Sequence, residues 1–567
     1  MLKNFKIIFF VLILTLVPLF VRADVVYFNI DPSYDFLGRS KITAFLQQVG
    51  SNADFFVEYG YYQALNEEEK KEFTDKLEDL SQEFDETIYP KLTEIFGSEW
   101  KPGIDGNERI TVLLTRIKED SGGYFNSGDE HPKAQMPGSN EREMVYLNVN
   151  YIKSPLIKSY LAHEFVHLIT FNQKDKNFGV SEEIWLNEAR AETVPTFLGY
   201  DENYEGSNLQ RRVKTFIQNP QDPLTEWKNT SFDYGVLNLF TQYLIEHYGI
   251  KILADSLHSE KVGILSLNEA LEKNGFSEDF SQIFTDWLIT VLVNDCALSS
   301  KYCYLNPNLK NLRIIPQLNY LPLVGESTLT VTDYTKNWSG NWFKFIGGKG
   351  TLKLEFVGSP KVNFGVPYVI QDFSGNYSVN FLELDDSRWG IIYVPDFGKK
   401  YDSLILIPSI QQKLSGFDGL ETFYQFIWSA SIINENSEVE EELTKKLLSQ
   451  IEYLKNEIAK VQAQINAILG KKQEGSLCQR FENNLYYGIQ NNKEVSCLQE
   501  FLKSQGSAIY PEGLVTGNFL SLTQKAVIRF QERYASEILI PVGLEGGSGY
   551  VGPMTRAKIN QLLSYPQ

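Results

Sequence analysis

The sequence predicts a multidomain chain: a mixed α+β domain, an all-β sandwich, a coiled-coil or helical stalk and a small three-helix domain, behind an apolar leader. Two observations predict it. The 567 residues exceed what one hydrophobic core serves, since single cores stop growing at about 250–300 residues. The apolar period changes along the chain, from mixed helix and strand spacing to strand-like runs, then to an a/d repeat, then to short helices between glycine turns. Acidic residues outnumber basic ones, 72 to 53, for a formal net charge of −19. Such a surface repels the nucleic-acid backbone and does not seek anionic lipid through bulk charge, so no nucleic-acid partner is expected.

Residues 1–23 read as a secretory signal. Lys3 and Lys6 precede the apolar run from Ile7 to Phe20, and Val21-Arg22-Ala23 offers small residues for cleavage before Asp24. The alternative is an uncleaved anchor, since the run is near the short limit for spanning a bilayer. The mixed domain is placed at 24–311. Val25–Asn29 and Phe55–Tyr59 read as strands, and Ile42–Leu46 is expected to open a helix. From Asn66 to Phe96, Phe73, Leu77, Leu80, Phe84 and Ile88 recur at helical spacing. Ile110–Thr115 and Met144–Val149 are β-rich. Between them, Asp120–Arg142 is polar and glycine-bearing, a cleft wall or a plain surface loop.

The chemistry concentrates between Leu161 and Glu192. His163-Glu164-Phe165-Val166-His167 is an H-E-x-x-H motif. A helix of 3.6 residues per turn puts side chains four apart on one face, so both imidazoles can meet one metal ion. Glu164 can then reach a water on that ion. Catalytic zinc takes three protein ligands and keeps a fourth position open, so another ligand must come from elsewhere. Glu188 and Glu192 lie four apart on a second predicted helix. Glu188 is expected as the third ligand, and Glu192 as acceptor for the free N–H of His163, fixing its tautomer. His is scarce, five in the chain, and the motif holds two of them. His131, His247 and His258 are expected outside the site.

These residues resemble the gluzincin zinc metallopeptidases, in which H-E-x-x-H is followed by N-E-x-x-x-E or N-E-x-x-x-D. Phe84–Pro90, Asp105–Leu114, Gly123-Tyr124-Phe125, Leu161–Ile169 and Trp185-Leu186-Asn187-Glu188 are similar to the hyicolysin-type secreted neutral peptidases, from about Val25 to Leu305. Ala189-Arg190 stand where a glycine and an apolar residue are expected. The resemblance implies a zincin-like fold, a Zn2+ cofactor and protein or peptide substrates. It implies that Met144–Val149 is an edge strand holding the peptide by backbone pairing. It also implies a Tyr or His from the second half that donates to the oxyanion. Tyr234, at a helix start, is the candidate for that role, against a plain core tyrosine.

The remaining parts follow in order. Cys296 and Cys303, and Cys478 and Cys497, are near neighbours expected to bridge, in an oxidising compartment. Residues 312–433 alternate or run apolar between turn clusters, as a β-sandwich does. In 434–474, Leu447, Ile451, Leu454, Ile458, Val461, Ile465 and Ile468 form an a/d seam, for a coiled-coil dimer or a lone stalk. In 475–567, Val495–Leu502, Gly513–Gly517, Thr523–Gln531 and Gly549–Ala557 resemble the peptidoglycan-binding domain of cell-wall enzymes. Phe519–Leu522 departs from that pattern at one turn.

The expectation is a secreted, cell-wall-associated zinc endopeptidase with peptidoglycan as a partner. Its metal ligands are His163, His167 and Glu188, and Glu164 and Tyr234 are its catalytic groups. The alternatives are a hydrolase of peptidoglycan peptide cross-links and a catalytically inert wall-bound adhesin. No acidic loop has recognisable calcium-ligand spacing.

Overall fold

A computed structural model describes residues 25–119, 121–322, 328–417, 419–433 and 480–564. The leader, the stalk with its a/d seam, and Cys478 lie outside them. The chain divides into two compact units, Met1–Glu435 and Asn436–Gln567.

The first unit opens on β1 (Val25–Asn29), β2 (Lys41–Val49), β3 (Ala53–Glu58), α1 (Tyr59–Ala64), α2 (Glu67–Glu83), α3 (Tyr89–Phe96), β4 (Ile110–Thr115), β5 (Gly123–Phe125), β6 (Met144–Asn148) and α4 (Leu156–Thr170). The strands form one sheet in the order β1-β2-β3-β4-β6-β5. β3, β4 and β6 run parallel and are buried along their whole length. Their unbroken apolar runs suit strands covered on both faces. Asn66 and Glu69 form a capping box at the start of α2. Its predicted stripe is buried against the sheet and α4, and continues through a π turn at Phe84–Ile88 into α3.

Two expectations are corrected here. Ile42–Leu46 belongs to β2, not to a helix. It pairs with β1 and β3 on either side, and a bulge between Leu46 and Gln48 breaks the period of two that would have marked it. Met144–Val149 is not an edge. β6 lies between β4 and β5, and the open edge on that side belongs to the three residues of β5, inside the polar, glycine-bearing stretch Asp120–Arg142.

The helical half comprises α5 (Ile184–Phe197), α6 (Asn208–Gln218), α7 (Ser231–Tyr248), α8 (Lys251–Leu257), α9 (Gly263–Lys273) and α10 (Phe280–Val293). The expected Cys296–Cys303 bridge follows it.

Eleven strands come next: β7 (Gln317–Leu321), β8 (Thr328–Thr335), β9 (Phe343–Gly347), β10 (Gly350–Gly358), β11 (Phe364–Gly365), β12 (Pro367–Asp372), β13 (Tyr377–Phe381), β14 (Trp389–Phe397), β15 (Tyr401–Leu406), β16 (Ser409–Ile410) and β17 (Tyr424–Ile433). Strands β13-β12-β15-β9-β7 make one leaf and β14-β10-β17-β8 the other. They join where Phe397 pairs with Tyr401. Phe343 and Phe345 of one leaf meet Trp428 of the other at ring separations of 5.7 and 4.9 Å. β10 and β17 bury alternate residues between the leaves. β15 is buried on both faces at Leu404–Leu406, because Ile405 joins the core of the helical half. Trp338 reaches the same core, 4.8 Å from Phe280 and 5.4 Å from Phe284. Trp342 donates its indole N–H to Leu288 O at 3.0 Å. No gap in packing separates the two expected domains.

The second unit holds α11 (Lys493–Ser504), α12 (Ser521–Arg533), α13 (Ala535–Ile538) and α14 (Pro553–Leu563). One device appears twice. The buried Gln499 of α11 donates to Thr523 on α12 and accepts from Gly517 N. The buried Gln531 of α12 donates to Thr555 on α14 and accepts from Gly549 N. Each glutamine thus fixes the next glycine turn and the next helix start. Both glycines take positive φ, 72° and 69°, open to glycine at no steric cost.

Candidate metal centre

α4 runs back along the sheet from the end of β6, and α5 packs against it. The two helices bring the predicted ligands together. Nε2 of His163 and Nε2 of His167 stand 3.1 Å apart. Oε2 of Glu188 is 3.3 Å from the first and 3.7 Å from the second. Ligand atoms about 2.0–2.2 Å from a tetrahedral zinc stand roughly 3.3–3.6 Å from one another, so this spacing is close to what the ion needs. Oε2 of Glu188 is also buried with no hydrogen-bond partner, which leaves it free to coordinate. Among the described residues this is the one cluster of three or more His, Cys, Asp or Glu side chains that could hold a metal.

The far nitrogens are held too. Nδ1 of His163 lies 3.5 Å from Oε1 of Glu192, as the spacing predicted. Nδ1 of His167 lies 3.1 Å from Oδ1 of Asn187. Each ring therefore has an acceptor behind it, which turns its Nε2 lone pair forward. Glu192 is itself anchored. Arg212, on α6, grips both of its oxygens, with Nε to Oε2 at 2.7 Å, and Asn208 donates to it at 3.1 Å. Burial opposes ionisation of Glu192, but the Arg212 guanidinium outweighs it and holds the carboxyl down at about 2.

Glu164 lines the same cleft, beneath β5. A Cβ placed on Gly123 would stand 3.0 Å from Cγ of Glu164 and 2.6 Å from the carbonyl oxygen of Tyr146. The strand can cross the general-base candidate this closely because Gly123 has no side chain. Burial pushes the Glu164 carboxyl up, and the two imidazoles oppose that shift. A cleft of about 830 Å³ opens over these groups.

Tyr234, in the first turn of α7, lines the cleft. Its ring lies 5.0 Å from Trp227 and under the Arg212 guanidinium at 4.4 Å. Burial and the nearby Glu188 raise its phenol well above the ordinary value, so it stays protonated at neutral pH. Sequence reasoning missed a second phenol, Tyr34, from the turn between β1 and β2. It stacks on Tyr124 of β5 at 4.5 Å, and Tyr124 on Tyr146 of β6 at 4.1 Å. Burial, then Glu164 and Glu188, push Tyr34 up as well. Arg212, Asn187 and Asn208 were also missed. Asn187 alone carried a signal, its place beside Glu188 in the sequence.

The other histidines stay away from the cleft. His131 packs edge-on to Phe171, and His247 bonds the carbonyl of Cys303 at 2.9 Å. Arg190, at the departure from the family pattern, is fully buried. It pairs with Glu182 at 3.1 Å and donates to Ser256 and to the carbonyl of Leu253.

No family model matches the chain. The chain is 28% identical over 231 residues to the neutral metalloprotease ShpI of Staphylococcus hyicus, a match covering 35% of this chain and 50% of that protein. The chain thus spans about half the length of the curated relative it matches, and the match is to a metalloprotease. Among solved structures it is similar to the pre-peptidase C-terminal domain of a collagenase from Bacillus anthracis, at 10% identity and TM-score 0.15, over 20% of this chain and 96% of that one. It is also similar to PliG, a periplasmic inhibitor of g-type lysozyme from Aeromonas hydrophila, at 10% identity and TM-score 0.14, over 21% of this chain and 100% of that one. At those scores neither carries an argument.

Proposed function

We propose that this protein is a secreted, cell-wall-associated zinc endopeptidase of the gluzincin type, with a zincin-like catalytic half, cutting peptide bonds in proteins. The observation that carries the reading is the convergence of His163, His167 and Glu188 on one point beside the buried Glu164. The relationship to ShpI supports it. His163, His167 and Glu188 would hold zinc, which supplies Lewis acidity toward a carbonyl and toward water. Glu164 takes the proton of the attacking water and passes it to the leaving amine. Tyr234, protonated, donates to the developing oxyanion. The open edge of β5 receives the peptide in extended form by backbone pairing. The leader supports export. The likeness of residues 475–567 to wall-binding domains supports retention on peptidoglycan.

The test is Glu164→Gln. Zinc content by metal analysis should match wild type, while casein hydrolysis falls about 10²–10⁴-fold, the usual contribution of a general base. A variant that keeps its zinc and its turnover would sink the mechanism. Digesting purified wall beside casein separates a protein-cutting enzyme from one that opens wall cross-links.

A further inference from the structure

The cleft holds more cationic capacity than its own carboxylates use. Glu164, Glu188 and Glu192 are its acids, and each is committed: Glu188 to the two imidazoles, Glu192 to Arg212 and His163, Glu164 to the general-base position. Arg212 is consumed by Glu192. Arg211, its neighbour on α6, also lines the cleft; it acts on the Glu192 carboxylate only at a distance and makes no direct ion pair among the described residues. It donates to the Tyr160 hydroxyl at 3.1 Å and to Oδ1 of Asn208 at 2.7 Å. Its Nε–H is buried and has no acceptor. A guanidinium carries five N–H donors in a planar fork suited to a carboxylate, and a buried donor without a partner is destabilising. In a chain with an excess of acidic residues, a cleft arginine that touches no carboxylate and keeps an orphaned Nε–H points to a ligand that brings one.

Position supports this. Tyr160, whose ring lies under the Arg211 guanidinium at 5.6 Å, is on α4 three residues before His163. That places it on the ligand face, within about one 5.4 Å turn of the metal site. Gly122, just before β5, packs so closely on Tyr160 that an added Cβ would stand 2.5 Å from the ring. The Arg211–Tyr160 pair therefore sits where the open edge of β5 begins. Lys118, exposed at the rim of the same cleft, adds a second positive charge.

We propose that Arg211 sets substrate choice, selecting peptides with an Asp or Glu side chain flanking the bond to be cut. This rests on the peptidase reading of the cleft. The test uses quenched fluorescent peptides of one sequence, with Glu, Gln or Lys moved through the positions on either side of the scissile bond. Wild type, Arg211→Gln and Arg211→Glu are compared by the ratio of kcat/KM within each protein, so that a general loss of folded protein cancels. At one flanking position wild type should favour Glu over Gln about 10–100-fold, the range of a charged hydrogen bond. Arg211→Gln should bring that ratio close to one, and Arg211→Glu should favour Lys. A wild-type ratio near one at every position, or a preference that survives Arg211→Gln, overturns the proposal. A second readout is the anisotropy of labelled Glu and Gln peptides on Glu164→Gln protein loaded with zinc, with and without Arg211→Gln. Selective binding lost with Arg211, but no hydrolysis by wild type, overturns the peptidase reading and upholds Arg211. Equal hydrolysis of all peptides does the reverse. Neither hydrolysis nor selective binding overturns both.

Discussion

Glu192 shows how one buried side chain ties stability to metal affinity. Its carboxylate faces His163 on one side and Arg212 on the other. Removing one partner of a buried pair leaves the other charge uncompensated. Arg212→Met should therefore cost about 3–5 kcal/mol in denaturant unfolding. It should also weaken zinc binding about 10–100-fold in chelator competition, because His163 loses its orientation. Adding Glu192→Gln should recover much of the stability and none of the affinity. Glu246 offers a test by pH. Burial lifts its carboxyl to about 7, against the opposing bonds from Leu305 and Asn306 N–H. The folded protein thus binds a proton that the unfolded chain has released. That stability is fully present below pH 4.5 and is lost as pH rises through 7. Glu246→Gln should match wild type at pH 4 and exceed it by about 1–3 kcal/mol at pH 8. A scan showing no such divergence would remove the argument. At this scale the sequence was legible where helical spacing did the work, as at His163, Glu164, His167 and the Glu188–Glu192 pair. Arg212 and Tyr34 were not legible, because tertiary packing alone brings them from α6 and from the turn after β1.

Single elements show where period and pairing part company. β3 and β4 could be read from unbroken apolar runs, whereas the bulge in β2 hid a strand inside a helix-like pattern. The position of β6 is a matter of pairing. The family resemblance implied an edge strand there, but β6 has a strand on each side, and its unbroken apolar run suits an interior strand covered on both faces. The edge fell to Gly123-Tyr124-Phe125, too short to announce itself by alternation. Its demand is steric rather than hydrophobic: Gly123 must stay bare for β5 to pass over Glu164. Gly123→Ala should push β5 or the Glu164 side chain aside. A misplacement of about 1 Å can cost about 10²-fold in rate. Hydrolysis should fall by that order while zinc content holds, and a variant with unchanged kcat/KM would show that the strand tolerates the methyl group.

Across the whole molecule, the boundary drawn at 311/312 from the change of period coincides with a change of architecture but not with a break in the core. Composition marks where strands replace helices; it does not reveal that Trp338, Trp342 and Ile405 reach across into α10. The β leaves are therefore a wall of the half that carries the candidate metal centre. Trp338→Ala should cost about 3–5 kcal/mol, and a chain cut after residue 311, with the apolar face of α10 bare, should aggregate in size-exclusion chromatography. A soluble, zinc-loaded fragment ending there would contradict the shared core. The contact at Gly416 and Phe417 carries this furthest. Gly416 N donates to Oε1 of Glu183 at the head of α5, and the Phe417 ring lies 6.4 Å from Trp185. The helix bearing Glu188 takes its footing from chain that is made more than 200 residues later. Both imidazoles leave the ribosome long before that prop exists. The order of synthesis thus acts as a clock: the helix bearing Glu188 stays without this footing until residues 416 and 417 have been made.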